Sequence, residues 1–128
     1  MELYRLTLKQ ARELVSKNPS QGQELLRALA RRVETVNPKL NAYIHFDSRN
    51  IPSPTGREEF QSKGFLSGIP ISVKDNIVTK SWETTCASKI LKGFIPPYDA
   101  TVIRKLREAG AIIFGKCNMD EFAFGSSC

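Results

Sequence analysis

Gly68-Ile-Pro-Ile-Ser-Val-Lys-Asp-Asn76 is a short apolar run with turn residues at both ends, and it reads as a β-strand over Ile69–Lys74. The strand delivers one charged side chain, Lys74, to its C-terminal end. Downstream, Asp75 to Phe94 is polar and irregular, and Pro96-Pro97 is a firm break. Asp99 then has the chemistry of an N-cap for a helix over Ala100–Ala109. Val102, Ile103, Leu106 and Ala109 form its apolar face, and Gly110 suits the position just past its end. Ala111-Ile-Ile-Phe114 follows as a buried strand. Strand, helix and strand predict a βαβ unit with two parallel strands and a right-handed crossover. Ligands of such sheets gather at the carboxyl ends of the strands, and Lys74 and Lys116 lie at or just beyond those ends. Asn118 to Cys128 opens like a helix at Asn118 or Asp120 and closes in Gly125-Ser126-Ser127.

Upstream, Thr7 and Gln10 have capping-box spacing ahead of an apolar stripe of Leu8, Ala11, Leu14 and Val15. Asn18-Pro19 stops that helix. Ser20 and Gln23 repeat the spacing and open a longer one, with Leu25, Leu26, Leu29, Ala30, Val33 and Val36 recurring at close to the helical period. Asn37-Pro38 is its expected end. Residues 1–38 therefore read as a helical hairpin with one apolar face, and 39–128 as the start of an α/β core in the same domain. Asn41–Phe46 alternates like a short strand with Ala42, Ile44 and Phe46 on one side. Asp47–Gly56 reads as a loop and Arg57–Lys63 as a helical turn. The fold class is α/β: a hairpin followed by a partial mixed or parallel sheet built on a βαβ unit.

The 128 residues suffice for one small domain with a core, and 41% hydrophobic and 25% charged residues are ordinary for a globular chain. No apolar run approaches the roughly 18 residues of a membrane helix. Met1-Glu-Leu-Tyr-Arg-Leu6 resembles neither a signal nor a transit peptide, so a cytoplasmic protein with no membrane contact is expected. Three cysteines, Cys86, Cys117 and Cys128, lack metal-ligand spacing and fit reduced thiols. The net charge of +6 permits contact with RNA or an acidic partner, but acids interrupt the basic residues, as in Arg31-Arg32-Val33-Glu34.

A lysine in water is no base at neutral pH. Burial or a neighbouring cation lowers its pKa, and it can then deprotonate a serine. Lys74 is the candidate for that work. The plainer alternative is a strand-end lysine paired with Asp75 or another acid. Lys116, in Gly115-Lys-Cys-Asn118, is the rival, and spacing does not separate the two. Gly115-Lys116 lacks the earlier glycine of a phosphate loop. Ser126, Ser127 and Cys128 sit in a turn-like context and not in a nucleophile elbow. Cys86 and Cys117 read as packed thiols. His45 is the sole histidine; it falls opposite the apolar side of its strand and reads as a surface group, so neither a metal site nor a bound cofactor is expected.

Gly68–Asn76 closely resembles the amidase signature family. So do Glu83-Thr-Thr-Cys-Ala-Ser-Lys-Ile-Leu91, Pro97-Tyr-Asp-Ala-Thr-Val102 and Gly115-Lys-Cys-Asn-Met-Asp-Glu-Phe-Ala-Phe-Gly-Ser-Ser127. Several segments in the right order are more specific than any one of them. The strong likeness covers about half of the chain, Gly68 to Ser127, with a weaker one in the helical hairpin. Within the family, the wording is nearest to the glutamine-hydrolysing subunits of tRNA-dependent amidotransferases, which make Gln-tRNA(Gln) or Asn-tRNA(Asn). The resemblance implies an amidase signature fold, here incomplete, and a Ser–cis-Ser–Lys mechanism in which Lys74 matches the catalytic lysine. It also implies a heterotrimer with two other subunits, glutamine as substrate, misacylated tRNA reached through the complex, and ATP and Mg used by a partner subunit. Both catalytic serines of the family belong to a signature beyond Cys128, while Ser126 and Ser127 match other positions. The expectation is an N-terminal fragment, inactive alone, whose sheet edges favour aggregation. A free-standing amidase and a non-catalytic fragment docking through the Leu25–Val36 stripe are the alternatives.

Overall fold

A computed structural model describes residues 2–50 and 64–125. The expected turn at Arg57–Lys63 and the Gly125-Ser126-Ser127-Cys128 ending fall outside them, wholly and all but Gly125 respectively. Two helices come first, α1 (Leu8–Lys17) and α2 (Pro19–Leu40). The capping box of Thr7 and Gln10 forms as the spacing predicts. Asn18, not Ser20, opens α2: its side chain accepts from the Ser20 amide at 3.1 Å, and Pro19 takes the first turn, where no N–H is needed. Pro38 does not end α2. The helix runs on to Leu40 and closes at Asn41, whose φ of 52° is the left-handed cap conformation.

Three strands follow: β1 (Tyr43–His45), β2 (Pro70–Lys74) and β3 (Ile112–Cys117). They form one mixed sheet in the order β1-β3-β2, with β3 central. β2 and β3 are parallel, and α3 (Thr101–Glu108) lies between them in sequence, so the βαβ unit is present. β1 pairs with β3 antiparallel. Asp99 does not cap α3. Its carboxylate accepts from the Lys80 amide at 2.7 Å and pairs with Arg107 at 3.1 Å, and Ala100 takes the cap position without a side-chain bond. Gly110, at φ 86°, supplies the left-handed turn into β3.

Each face of the sheet has its own cover. The hairpin packs Ala11, Val15, Leu25, Leu26 and Ala30 against Ile69, Ile112 and Phe114 on one face. Arg12 fastens it further, its guanidinium lying 3.5 Å above the Phe65 ring while Nε donates to the Phe65 carbonyl at 2.9 Å. On the opposite face, Ile103 of α3 packs against Val73 and Ile113. Leu25, Leu26 and Ala30 of the Leu25–Val36 stripe are therefore buried in the chain's own core, with Leu29 and Val33 partly buried against it.

Two irregularities decide where side chains go. Ile71 pairs with Ile113 but Ser72 pairs with Gly115, leaving Phe114 as an extra residue in β3. Such a bulge reverses the inward and outward sense of everything after it. Lys116, which strict alternation would place beside Phe114 on the hairpin face, is turned to the face of its partner Val73. A second irregularity between Tyr43 and His45 does the same in β1. Tyr43 packs with Phe46 and Phe114, Ile44 is exposed, and His45 turns toward the α3 side. The expected grouping of Ala42 and Ile44 with Phe46 on the covered side does not form.

Candidate active site

The carboxyl ends of β2 and β3 carry two lysines in very different surroundings. Lys74 is exposed. It leaves the sheet on the hairpin side, past the reach of the hairpin itself, which ends its cover near Ile71. Ser72, Lys74 and their ladder partners Gly115 and Cys117 lie along this face with Tyr43. The Tyr43 and Ser72 hydroxyls are 2.5 Å apart. Burial pushes both the Tyr43 phenol and the Cys117 thiol up from their ordinary values, with Ser72 opposing each. Among the described residues Lys74 itself makes no ion pair or side-chain hydrogen bond. The described residues do not bury Lys74 in apolar packing, and Asp75 pairs with Lys116 and not with Lys74.

Lys116 is the lysine that is buried. Its side chain is fully buried, with Nζ donating to the Ile77 carbonyl at 3.1 Å and to Thr84 Oγ1 at 2.9 Å. Asp75 Oδ1 is 3.4 Å away. Burial pulls the lysine pKa down and the Asp75 charge pushes it back. Nζ makes these two hydrogen bonds, and Asp75 Oδ1, which is buried without a hydrogen bond of its own among the described residues, faces it as an opposite charge. The two lysines thus differ in their surroundings: Lys116 is buried on two hydrogen bonds beside Asp75, and Lys74 is exposed with no ion pair or side-chain hydrogen bond among the described residues.

Asp75 is the hub of the polar interior. Its Oδ2 accepts from the Thr85 amide at 3.1 Å, the Thr85 hydroxyl at 2.6 Å and the Ala87 amide at 3.2 Å. The chain wraps the carboxylate by taking Cys86 and Ala87 through left-handed backbone, at φ 52° and 55°. Ser88 then bonds Glu121 at 2.6 Å, and the Phe122 amide donates to the Cys86 carbonyl at 3.0 Å, which joins this turn to the end of the described chain. His45 is half-buried, not a surface group: Nε2 lies 3.3 Å from the Thr85 hydroxyl and 3.6 Å from Asp75, and Nδ1 lies 3.7 Å from Glu83. The expected helix after Asn118 is only a single turn at Glu121–Ala123.

Among the described residues no group of three or more His, Cys, Asp or Glu side chains could hold a metal ion, and no helix is long and apolar enough to cross a membrane. The polar interior was missed in the sequence, although Gly115 within an apolar strand pattern is a bulge signal that bears on where Lys116 points.

A family model described as Amidase matches residues 24–128. The glutamyl-tRNA(Gln) amidotransferase A subunit of Desulfosudis oleivorans is 49% identical over 99% of this chain, and the protein of that name from Carboxydothermus hydrogenoformans is 43% identical. The chain spans 27% of the length of each of these relatives. Among solved structures, the A subunit of the Thermotoga maritima glutamyl-tRNA(Gln) amidotransferase superposes with a TM-score of 0.81 at 33% identity, covering 98% of this chain and 25% of that one. A 6-aminohexanoate cyclic dimer hydrolase gives a TM-score of 0.78 at 29% identity, covering 99% of this chain and 28% of its own.

Proposed function

This chain belongs to the amidase family, and we propose that it supplies the general base, Lys74, of a glutamine-hydrolysing subunit of a tRNA-dependent amidotransferase. The observation that carries the reading is the contrast between the two lysines: Lys74 stands exposed at the carboxyl end of β2 with no ion pair or side-chain hydrogen bond among the described residues, while Lys116 is buried, bonded to the Ile77 carbonyl and the Thr84 hydroxyl and paired with Asp75. In the mechanism the resemblance implies, Lys74 takes a proton from a cis-serine, which activates the nucleophilic serine, and both serines lie outside this chain. The nucleophile adds to the amide carbonyl of glutamine, ammonia leaves, and water hydrolyses the acyl-enzyme. The ammonia passes to a second subunit, which uses ATP and Mg to activate misacylated tRNA in a heterotrimer with a small third subunit. On this reading residues 1–128 are inactive alone.

The test is Lys74→Ala in the protein at the full length of its relatives. Ammonia release from glutamine is expected to fall by at least about 10²-fold, the lower end for a positioned general base. Turnover near the wild-type value removes Lys74 from the mechanism. A free-standing amidase is the second reading, and the fold shared with the cyclic dimer hydrolase favours it. Purification at full length separates the two. Two tightly held companions and ATP-dependent amidation of tRNA fit the first, and a self-sufficient hydrolase of small amides fits the second.

A further inference from the structure

The buried pair Asp75–Lys116 lies on the opposite side of the sheet from the Lys74 side chain, yet it holds the backbone on which Lys74 stands. The Ile77 amide donates to the Lys74 carbonyl at 3.0 Å, closing a tight turn over residues 74–77. Lys116 Nζ grips the far end of that turn at the Ile77 carbonyl, where the Thr79 hydroxyl also donates, at 2.9 Å. In between, the Asp75 amide donates to the Cys117 carbonyl at 3.1 Å, and the Asp75 carbonyl accepts from Cys86 at 3.2 Å. The Asp75 carboxylate then fixes residues 85–87 by three more bonds.

Two ions in an interior cost more to bury than apolar side chains of the same volume, so a pair of this kind is not explained by stability alone. What it supplies, and apolar packing does not, is orientation of named carbonyls and amides. We infer that Asp75 and Lys116 are positioning residues for Lys74: their ion pair sets the 74–77 turn and, through it, where the Lys74 amine leaves the sheet. The inference rests on the reading of Lys74 as the base.

The experiment uses the protein at the full length of its relatives. Asp75→Asn and Lys116→Met are made singly and together, with Thr84→Val as a milder change that removes one acceptor from Lys116 and leaves the pair in place. Each single pair variant strands a buried partner and is expected to lower Tm, while the double variant recovers most of that loss. The double variant is nevertheless expected to keep a glutaminase kcat about 10- to 100-fold below wild type with KM within about twofold, because small displacements of a catalytic group cost that much. Thr84→Val shifts kcat in the same direction, by less. The second readout is the pH dependence of Lys74 acylation by an amine-reactive anhydride, followed by peptide mass spectrometry, which reports on Lys74 without turnover. A profile displaced in the double variant and in Thr84→Val supports the inference. A kcat that recovers along with Tm, or a Lys74 acylation profile identical to wild type in every folded variant, overturns it. If Lys74→Ala retains turnover, the base assignment falls by itself; the acylation profiles then decide whether the pair positions Lys74 at all.

Discussion

Gly115 has no side chain because Tyr43 occupies the place where one would stand. A Cβ there would lie 2.8 and 2.9 Å from two atoms of the Tyr43 ring and 3.3 Å from the His45 carbonyl. The ring is wedged against Phe46 and Phe114, at centroid distances of 5.6 and 6.3 Å, and its hydroxyl is bonded to Ser72. It has no easy retreat. Gly115→Ala is therefore expected to cost about 1–3 kcal/mol, the usual penalty of overpacking, as a lower urea midpoint at unchanged slope. An unchanged midpoint would mean that Tyr43 is not held as the packing implies. The same residue governs what could be read in advance. Lys74 and Lys116 were both visible as candidates, but the bulge at Phe114 that buries one of them is a pairing event between strands with about 40 residues between them. Alternation along a single strand carries no information about it.

Local chemistry decides the helices, and Asn18 shows how much one side chain does. It closes α1, its amide donating to the Leu14 carbonyl at 3.1 Å. It also opens α2, its Oδ1 accepting from the Ser20 amide at 3.1 Å and the Ser20 hydroxyl at 2.8 Å. Asn18→Ala removes the cap between two helices whose faces form most of one core cluster, and is expected to cost about 1 kcal/mol. Thermal unfolding checks it: no change in Tm would show that Pro19 alone sets the junction. Helix existence, the α1 cap and the βαβ order were legible because caps and apolar periods act within a few residues. The boundaries drifted where a more distant group intervened. Pro38 was absorbed into the last turn of α2, while Asn37 bonds the Tyr43 amide and carbonyl at 2.8 and 3.0 Å. Asp99 left the α3 cap because its carboxylate takes the Lys80 amide on one oxygen and the Arg107 guanidinium on the other.

For the molecule as a whole, the sheet has a strand edge at β2, and Phe65, Ile90, Phe94, Ile95, Tyr98 and Phe124 are exposed. Expressed as residues 1–128, the chain is expected to self-associate with rising concentration, since open edges and exposed apolar side chains both favour it. Light scattering across a concentration series tests this, and a monomer throughout would contradict it. The sequence by itself determined the class of the fold, the order of its elements, the hairpin's apolar face and the family, because these rest on periodicity, caps and a run of motifs in fixed order. It also brought Lys74 to the end of β2. Only the tertiary structure decided that the buried lysine is Lys116, that its partner is Asp75, that His45 sits between Thr85, Asp75 and Glu83, and that Cys86 and Ala87 bend around a carboxylate. These contacts join residues 10 to 41 positions apart, and their geometry is set by ladder register and by the need of each buried polar atom for a partner, neither of which is a property of any one segment.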